Sequence, residues 1–313
     1  MSKYRKALPQ LKGGVFLTDG GLETSLVYLE GVELPHFASF PLITTEGGRE
    51  RLRKYFSPYL ELAKLKQVGF ILDTPTWRAS PDWAAKLGFS PDMLIAANRL
   101  SVDFLVRLRN DYAGLVEPLI INGVIGPRGD GYKVEMRMSI AEAEAYHSMQ
   151  MKVFSESDAD MVTAVTINYV DEALGILHAA QLHHMPLVIS FTVETDGRLP
   201  SGESLREAME RVDRVSGNYP LYYMINCAHP EHFEDILSAG PWLKRIRGLR
   251  ANSSTKSHAE LDAATELDIG DMRNLAHRYS ALRGKLPNLV VLGGCCGTDH
   301  RHLTAISDAC LAA

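Results

Sequence analysis

Short aliphatic runs rich in β-branched residues alternate along the chain with longer stretches of helical period. The runs lie at 15–18, 70–74, 119–125, 161–166, 187–192, 221–225, 246–250 and 289–292. Most are nearly continuously apolar, the pattern of strands covered on both faces. Between them, residues 140–155 carry apolar side chains at 140, 143, 146, 149, 151 and 153, and 203–215 has a similar stripe. Such spacing places the apolar groups on one side of a helix. Eight strand–helix alternations predict a (β/α)8 barrel. A doubly wound open sheet is the alternative, because periodicity alone does not close a sheet. No Pro/Ser-rich linker, charge block or fixed-period repeat divides the chain, so residues 1–313 are expected to form one domain.

Composition narrows the function classes. With 46% hydrophobic and 23% charged residues, the 313-residue chain has the balance of a globular protein with a full core. Its 38 acidic against 33 basic side chains give a net charge of −5, which argues against nucleic acid as a partner. No apolar run approaches the ~20 residues of a membrane-spanning helix. The opening Met1-Ser2-Lys3-Tyr4-Arg5-Lys6 leads to no apolar signal core, so a cytoplasmic, reduced protein is expected. No Gly-x-Gly-x-x-Gly follows the first run, which disfavours a dinucleotide site.

Barrel chemistry collects at the carboxyl ends of the strands. There the sequence places Asp19-Gly20-Gly21, Asp73-Thr74-Pro75-Thr76-Trp77, Asn226-Cys227, Asn252-Ser253-Ser254 and Gly293-Gly294-Cys295-Cys296-Gly297. Four cysteines are too few for a disulfide framework. Cys310 reads as a small buried hydrophobe. Cys227 and the adjacent pair Cys295-Cys296 would lie close around the rim. Three thiolates with a fourth position open suit a reactive zinc ion, which soft sulfur ligands favour. A disulfide between Cys295 and Cys296 is the other reading of the pair.

These residues resemble the homocysteine S-methyltransferase family. The resemblance runs through Thr18-Asp19-Gly20-Gly21-Leu22-Glu23-Thr24, Trp77-Arg78-Ala79-Ser80 and Ser190-Phe191-Thr192 with Gly197-Arg198-Leu199. It continues in Asn226-Cys227-Ala228-His229-Pro230 and closes on Gly293 to Thr298. It implies a TIM-type barrel in which Cys227, Cys295 and Cys296 hold Zn2+ and a methyl group passes to a thiol. No protein side chain then serves as nucleophile; the zinc-activated thiol does. Carried over residue by residue, Asp19, Gly20 and Gly21 would contact the amino-acid part of the acceptor, and Asn252 would lie close to the metal. Glu23, Trp77 and Asn226 complete the expected substrate pocket. The implied partners are a small thiol and a methyl donor, with association into a homo-oligomer left open.

The implied donor is a sulfonium or a betaine-like ammonium, and such cations favour aromatic walls. Trp77 is the first candidate, followed by Trp83, Tyr28 and Phe40. Two positions depart from the family pattern. Val165 stands where a glutamate commonly holds the acceptor's amino group, and Trp77 replaces a common tyrosine. Glu194 and Glu23 are the candidates to take over from the missing carboxylate. The first departure motivates an alternative acceptor, another thiol or a selenol; a zinc- or ligand-binding barrel without catalysis is the remaining alternative. His183, His184, His229, His300 and His302 read as surface or supporting residues rather than as a fourth ligand.

Overall fold

The computed structural model describes residues 2–134 and 136–311. Its eight parallel strands are β1 (Phe16–Leu17), β2 (Gly69–Asp73), β3 (Leu119–Ile125), β4 (Met161–Ile167), β5 (Leu187–Phe191), β6 (Tyr223–Asn226), β7 (Ile246–Ala251) and β8 (Val291–Gly294). They pair in chain order, and Phe16 and Leu17 close the ring against Val291 and Leu292. That pairing excludes the open doubly wound sheet. The eight expected runs all become strands, with shifted ends. β6 begins at Tyr223 rather than 221, and β8 runs on through Gly293 and Gly294 to the cysteine pair.

Local chemistry sets the helix boundaries. Helix Ile140–Ser155 opens on a capping box in which the Ser139 hydroxyl accepts from the Glu142 amide while the Glu142 carboxylate returns to the Ser139 amide. Helix Leu205–Ser216 is capped in the same way by Ser204 and Glu207, and it stops at Gly217 with φ 64°. The cap explains why this helix starts two residues later than its apolar stripe suggested. Between sheet and helices lies one continuous apolar layer. A second cluster inside the barrel gathers Phe16, Ile71, Ile120, Met161, Val188, Tyr222, Met224 and Val291 around Leu8.

Leu8 belongs to an N-terminal segment that closes the amino end of the barrel. The Arg5 guanidinium donates to the carbonyls of Phe154, Ser155, Ser157 and Ala159, and the Tyr4 amide donates to Asp160. The predicted rim residues gather at the opposite, carboxyl end, where most of them line one cavity. Among the described residues no helix is long and apolar enough to cross a membrane.

Candidate active site

The sulfurs of Cys227, Cys295 and Cys296 all lie within 4.8 Å of one another. Cys227 follows β6, and the pair follows β8. Cys227 has φ 54°, a left-handed conformation unusual for a residue with a side chain. Its backbone is held on both sides. The amide donates to the Arg250 carbonyl, and the carbonyl accepts from Asn252 Nδ2 and meets His258 Nε2. Gly297 turns the chain after the pair at φ 78°, and a Cβ there would stand 2.0 Å from the Ser253 hydroxyl. The Asp19-Gly20-Gly21 turn packs onto the same loop, so closely that a Cβ on Gly21 would come 2.6 Å from the Cys295 carbonyl oxygen.

A disulfide joins Cys227 to Cys295, leaving Cys296 free. The bond joins cysteines from two strand ends and not the adjacent pair Cys295-Cys296, which was the alternative. The Cα atoms of Cys227 and Cys295 are 5.3 Å apart, inside the range a disulfide spans. Neighbouring residues sit only ~3.8 Å apart across a trans peptide, below that range.

In the reduced state the three cysteines form a soft, convergent donor set that suits zinc. One further observation agrees with a cation here. Asn252 Oδ1 is buried without a hydrogen-bond partner among the described residues. Burial pushes the Cys296 thiol up to about 11, so without a metal it stays protonated at neutral pH.

The sulfurs line a cavity of about 420 Å³ that also exposes Asp19, Gly20, Gly21, Glu23, Trp77, Asn226 and Asn252, every residue expected in the substrate pocket. Seven of its lining side chains are carboxylates (Asp19, Glu23, Asp73, Asp130, Asp262, Glu266 and Asp268), against two guanidinium groups, Arg78 and Arg250. Such an imbalance concentrates cations at the mouth.

Several of these residues are already engaged. Arg250 Nη2 lies 2.6 Å from Asp19 Oδ1, Nη1 pairs with Asp73, and the Tyr55 hydroxyl donates to Asp19 Oδ2. Burial pushes the Asp19 carboxyl up to about 6, reinforced by Asp73 and opposed by Arg250. Burial alone would lower the Arg250 pKa, but the two carboxylates outweigh it and raise it. Glu23 accepts from the Ser39 hydroxyl, and burial raises its pKa. Glu194 pairs with His258 at 3.0 Å.

Asn226 helps to shape the pocket wall. Its Oδ1 accepts from the Thr166 amide and the Ser190 hydroxyl, and its Nδ2 donates to the Thr166 hydroxyl. This clamp holds Thr166 at φ 59° within an irregularity of β4, where Val165 lines the cavity.

The aromatic wall differs from expectation. Trp77 and Tyr28 line the cavity, whereas Trp83 and Phe40 are not among its lining residues. Arg78 already rests on the indoles, 4.6 Å from the Trp77 ring and 4.1 Å from that of Trp83. Phe40 is buried edge-on against Phe89. Among the histidines, His184 and His300 are exposed and His183 is half-buried. His302 is tied to Asp299 and the Ile269 carbonyl. His229 is buried, its Nδ1 accepting from the Glu231 amide, and burial lowers its pKa to about 4.

Sequence reading missed Arg250, His258 and Tyr132. A charged residue amid the apolar run of β7 was a usable sign for Arg250. Tyr132 sits on a long loop and His258 opens the short helix His258–Asp262, and neither carries such a sign.

Fold and site together define a parallel TIM-type barrel enzyme with a cysteine cluster at its open end. The family description "Homocysteine S-methyltransferase" matches residues 16–310. Homocysteine S-methyltransferase 1 of Arabidopsis thaliana is 24% identical over 94% of this chain and 93% of its own length. Crystal structures of the homocysteine methyltransferase MmuM from Escherichia coli share the fold. Its metallated form gives a TM-score of 0.72 at 18% identity, covering 94% of this chain and 96% of that one. Its oxidized form gives 0.73 at 18% identity, covering 95% and 96%. The chain belongs to the homocysteine S-methyltransferase family, and it is a methyltransferase.

Proposed function

We propose that the reduced protein binds one zinc ion through Cys227, Cys295 and Cys296 and transfers a methyl group from a sulfonium or betaine-like donor to a thiol, with homocysteine giving methionine as the leading reaction. The observation that carries the reading is the convergence of three cysteine sulfurs on the wall of a cavity large enough for two small molecules. When bound, zinc supplies acidity: it turns a thiol with an ordinary pKa of ~8.5 into a thiolate that remains nucleophilic.

The chain's own residues do the rest. The acidic lining draws a cationic donor towards the sulfurs. The pocket holds the partners at reacting distance. In the transfer the acceptor's S–CH3 bond forms while the donor's bond to its methyl group breaks. That bonding pair returns to the donor sulfur or nitrogen, and the acceptor's proton is released to solvent. A cytoplasmic location fits a site that depends on reduced thiols.

The test is zinc content of protein purified under reducing conditions, together with methyl transfer to homocysteine from S-methylmethionine, S-adenosylmethionine and betaine. One zinc per chain with turnover is expected. Absence of zinc after reconstitution would end the metal reading.

A second reading concerns the acceptor. Val165 offers no charge to an α-ammonium, and Asp19 is already paired with Arg250. Both observations favour a thiol or selenol other than homocysteine. Turnover restricted to homocysteine across a thiol panel would remove this alternative.

A further inference from the structure

The loop between β3 and helix Ile140–Ser155 brings Tyr132 to the cysteine cluster. Its hydroxyl lies 3.6 Å from Cys296 Sγ, within hydrogen-bond reach of sulfur. Residues 130–133 are held there. Asp130 Oδ1 accepts from the amides of Tyr132 and Lys133, and the Asp130 carbonyl accepts from Asn168 Nδ2. The Tyr132 ring stacks on His258 at 4.0 Å between centroids, and His258 is itself anchored to Glu194 and the Cys227 carbonyl.

A site of the proposed kind contains an internal competition. The protein's thiolates and the acceptor's thiolate share one cavity with an activated methyl group, and each is a sulfur nucleophile. Cys227 is only 3% exposed, whereas Cys296 is more open to the cavity. A hydroxyl donating to a thiolate draws charge from the sulfur and weakens it as a nucleophile.

We propose that Tyr132 protects Cys296 from methylation by hydrogen-bonding to its sulfur, so that the methyl group goes to the acceptor. Tyr132 is a positioning residue, acting through Cys296 and not on the substrate. The reaction it suppresses is balanced: the Cys296 sulfur would gain the methyl group, and a sulfonium donor would leave as a neutral thioether. The inference rests on the zinc reading above.

The experiment compares the zinc-loaded wild type with Tyr132→Phe, which keeps the ring and its stacking on His258. Zinc content is measured on each sample. Limiting iodoacetamide is then applied, and labelling of each cysteine is followed by peptide mass spectrometry. The expected result is a rise of about fivefold in the Cys296 labelling rate, with Cys227, Cys295 and Cys310 unchanged. With a sulfonium donor and no acceptor, the variant should gain one methyl group on Cys296. Equal Cys296 labelling in both proteins, with one zinc each, would overturn the protective role and leave the zinc reading standing. A uniform rise at all four cysteines would also overturn it, because the hydroxyl would then be holding the fold. A wild type that retains no zinc would end both readings.

Discussion

Arg250 on β7 and Asp19 at the end of β1 meet across the open end of the barrel, with 2.6 Å between Nη2 and Oδ1. The guanidinium also pairs with Asp73 and donates through Nε to the Gly294 carbonyl, beside the cysteine pair. One buried cation therefore compensates two carboxylates and ties three strand ends together.

Replacing it should be costly. Arg250→Met leaves two buried carboxylates without their cation, and breaking such a pair costs about 3–5 kcal/mol. Urea unfolding should show a loss of that order. Adding Asp19→Asn and Asp73→Asn to the same chain should recover most of it, since no buried charge is then left alone.

Cys227→Ser should abolish both zinc binding and turnover, because a hydroxyl does not ionise to replace the thiolate. Metal analysis beside the methyl-transfer assay checks both. Cys310→Ser should change neither: Cys310 is buried in the last helix and is not among the lining residues of the cavity. Full activity in Cys227→Ser would refute the assignment of the metal site.

Val165→Glu should shift acceptor preference. A carboxylate at this lining position can meet an α-ammonium, and ~1.4 kcal/mol of added affinity corresponds to tenfold. KM for homocysteine should fall by about that factor. KM for 4-mercaptobutyrate, which lacks the amino group, should stay level or rise. Parallel changes for both thiols would show that position 165 does not read the ammonium.

The stability of the fold should weaken in acid through His229. Burial holds its imidazole neutral down to about pH 4, whereas in the unfolded chain it takes a proton near ~6.5. Between these values the unfolded state binds more protons, so stability rises with pH across the window and is lost as pH falls from 6.5 to 4. The whole effect is at most about 3 kcal/mol. Unfolding free energies of wild type and His229→Gln at pH 7 and pH 4.5 should diverge accordingly, with the variant less sensitive to acid.

Much of the architecture was legible because parallel barrels write themselves as continuous apolar runs, and all eight runs became strands. The three metal-ligand candidates were legible for a related reason. Residues just past a strand's carboxyl end must share one rim, so Cys227 and Cys295 could be placed together although they stand 68 positions apart in sequence. Pairwise commitments were hidden. Nothing in Asp19-Gly20-Gly21 announces that the aspartate is held by an arginine 231 positions away. Asn226 lines the cavity as expected, and no feature of the sequence showed that its amide also clamps Thr166. Trp77 read correctly as a cavity residue, but the arginine next to it already covers its ring.

The stopper formed by Tyr4, Arg5 and Leu8 beneath the barrel fastens the first residues of the chain to the turn that leads into β4. The floor is thus a clasp that holds the cylinder's first and middle segments together, and chemistry is left to the loops at the opposite rim.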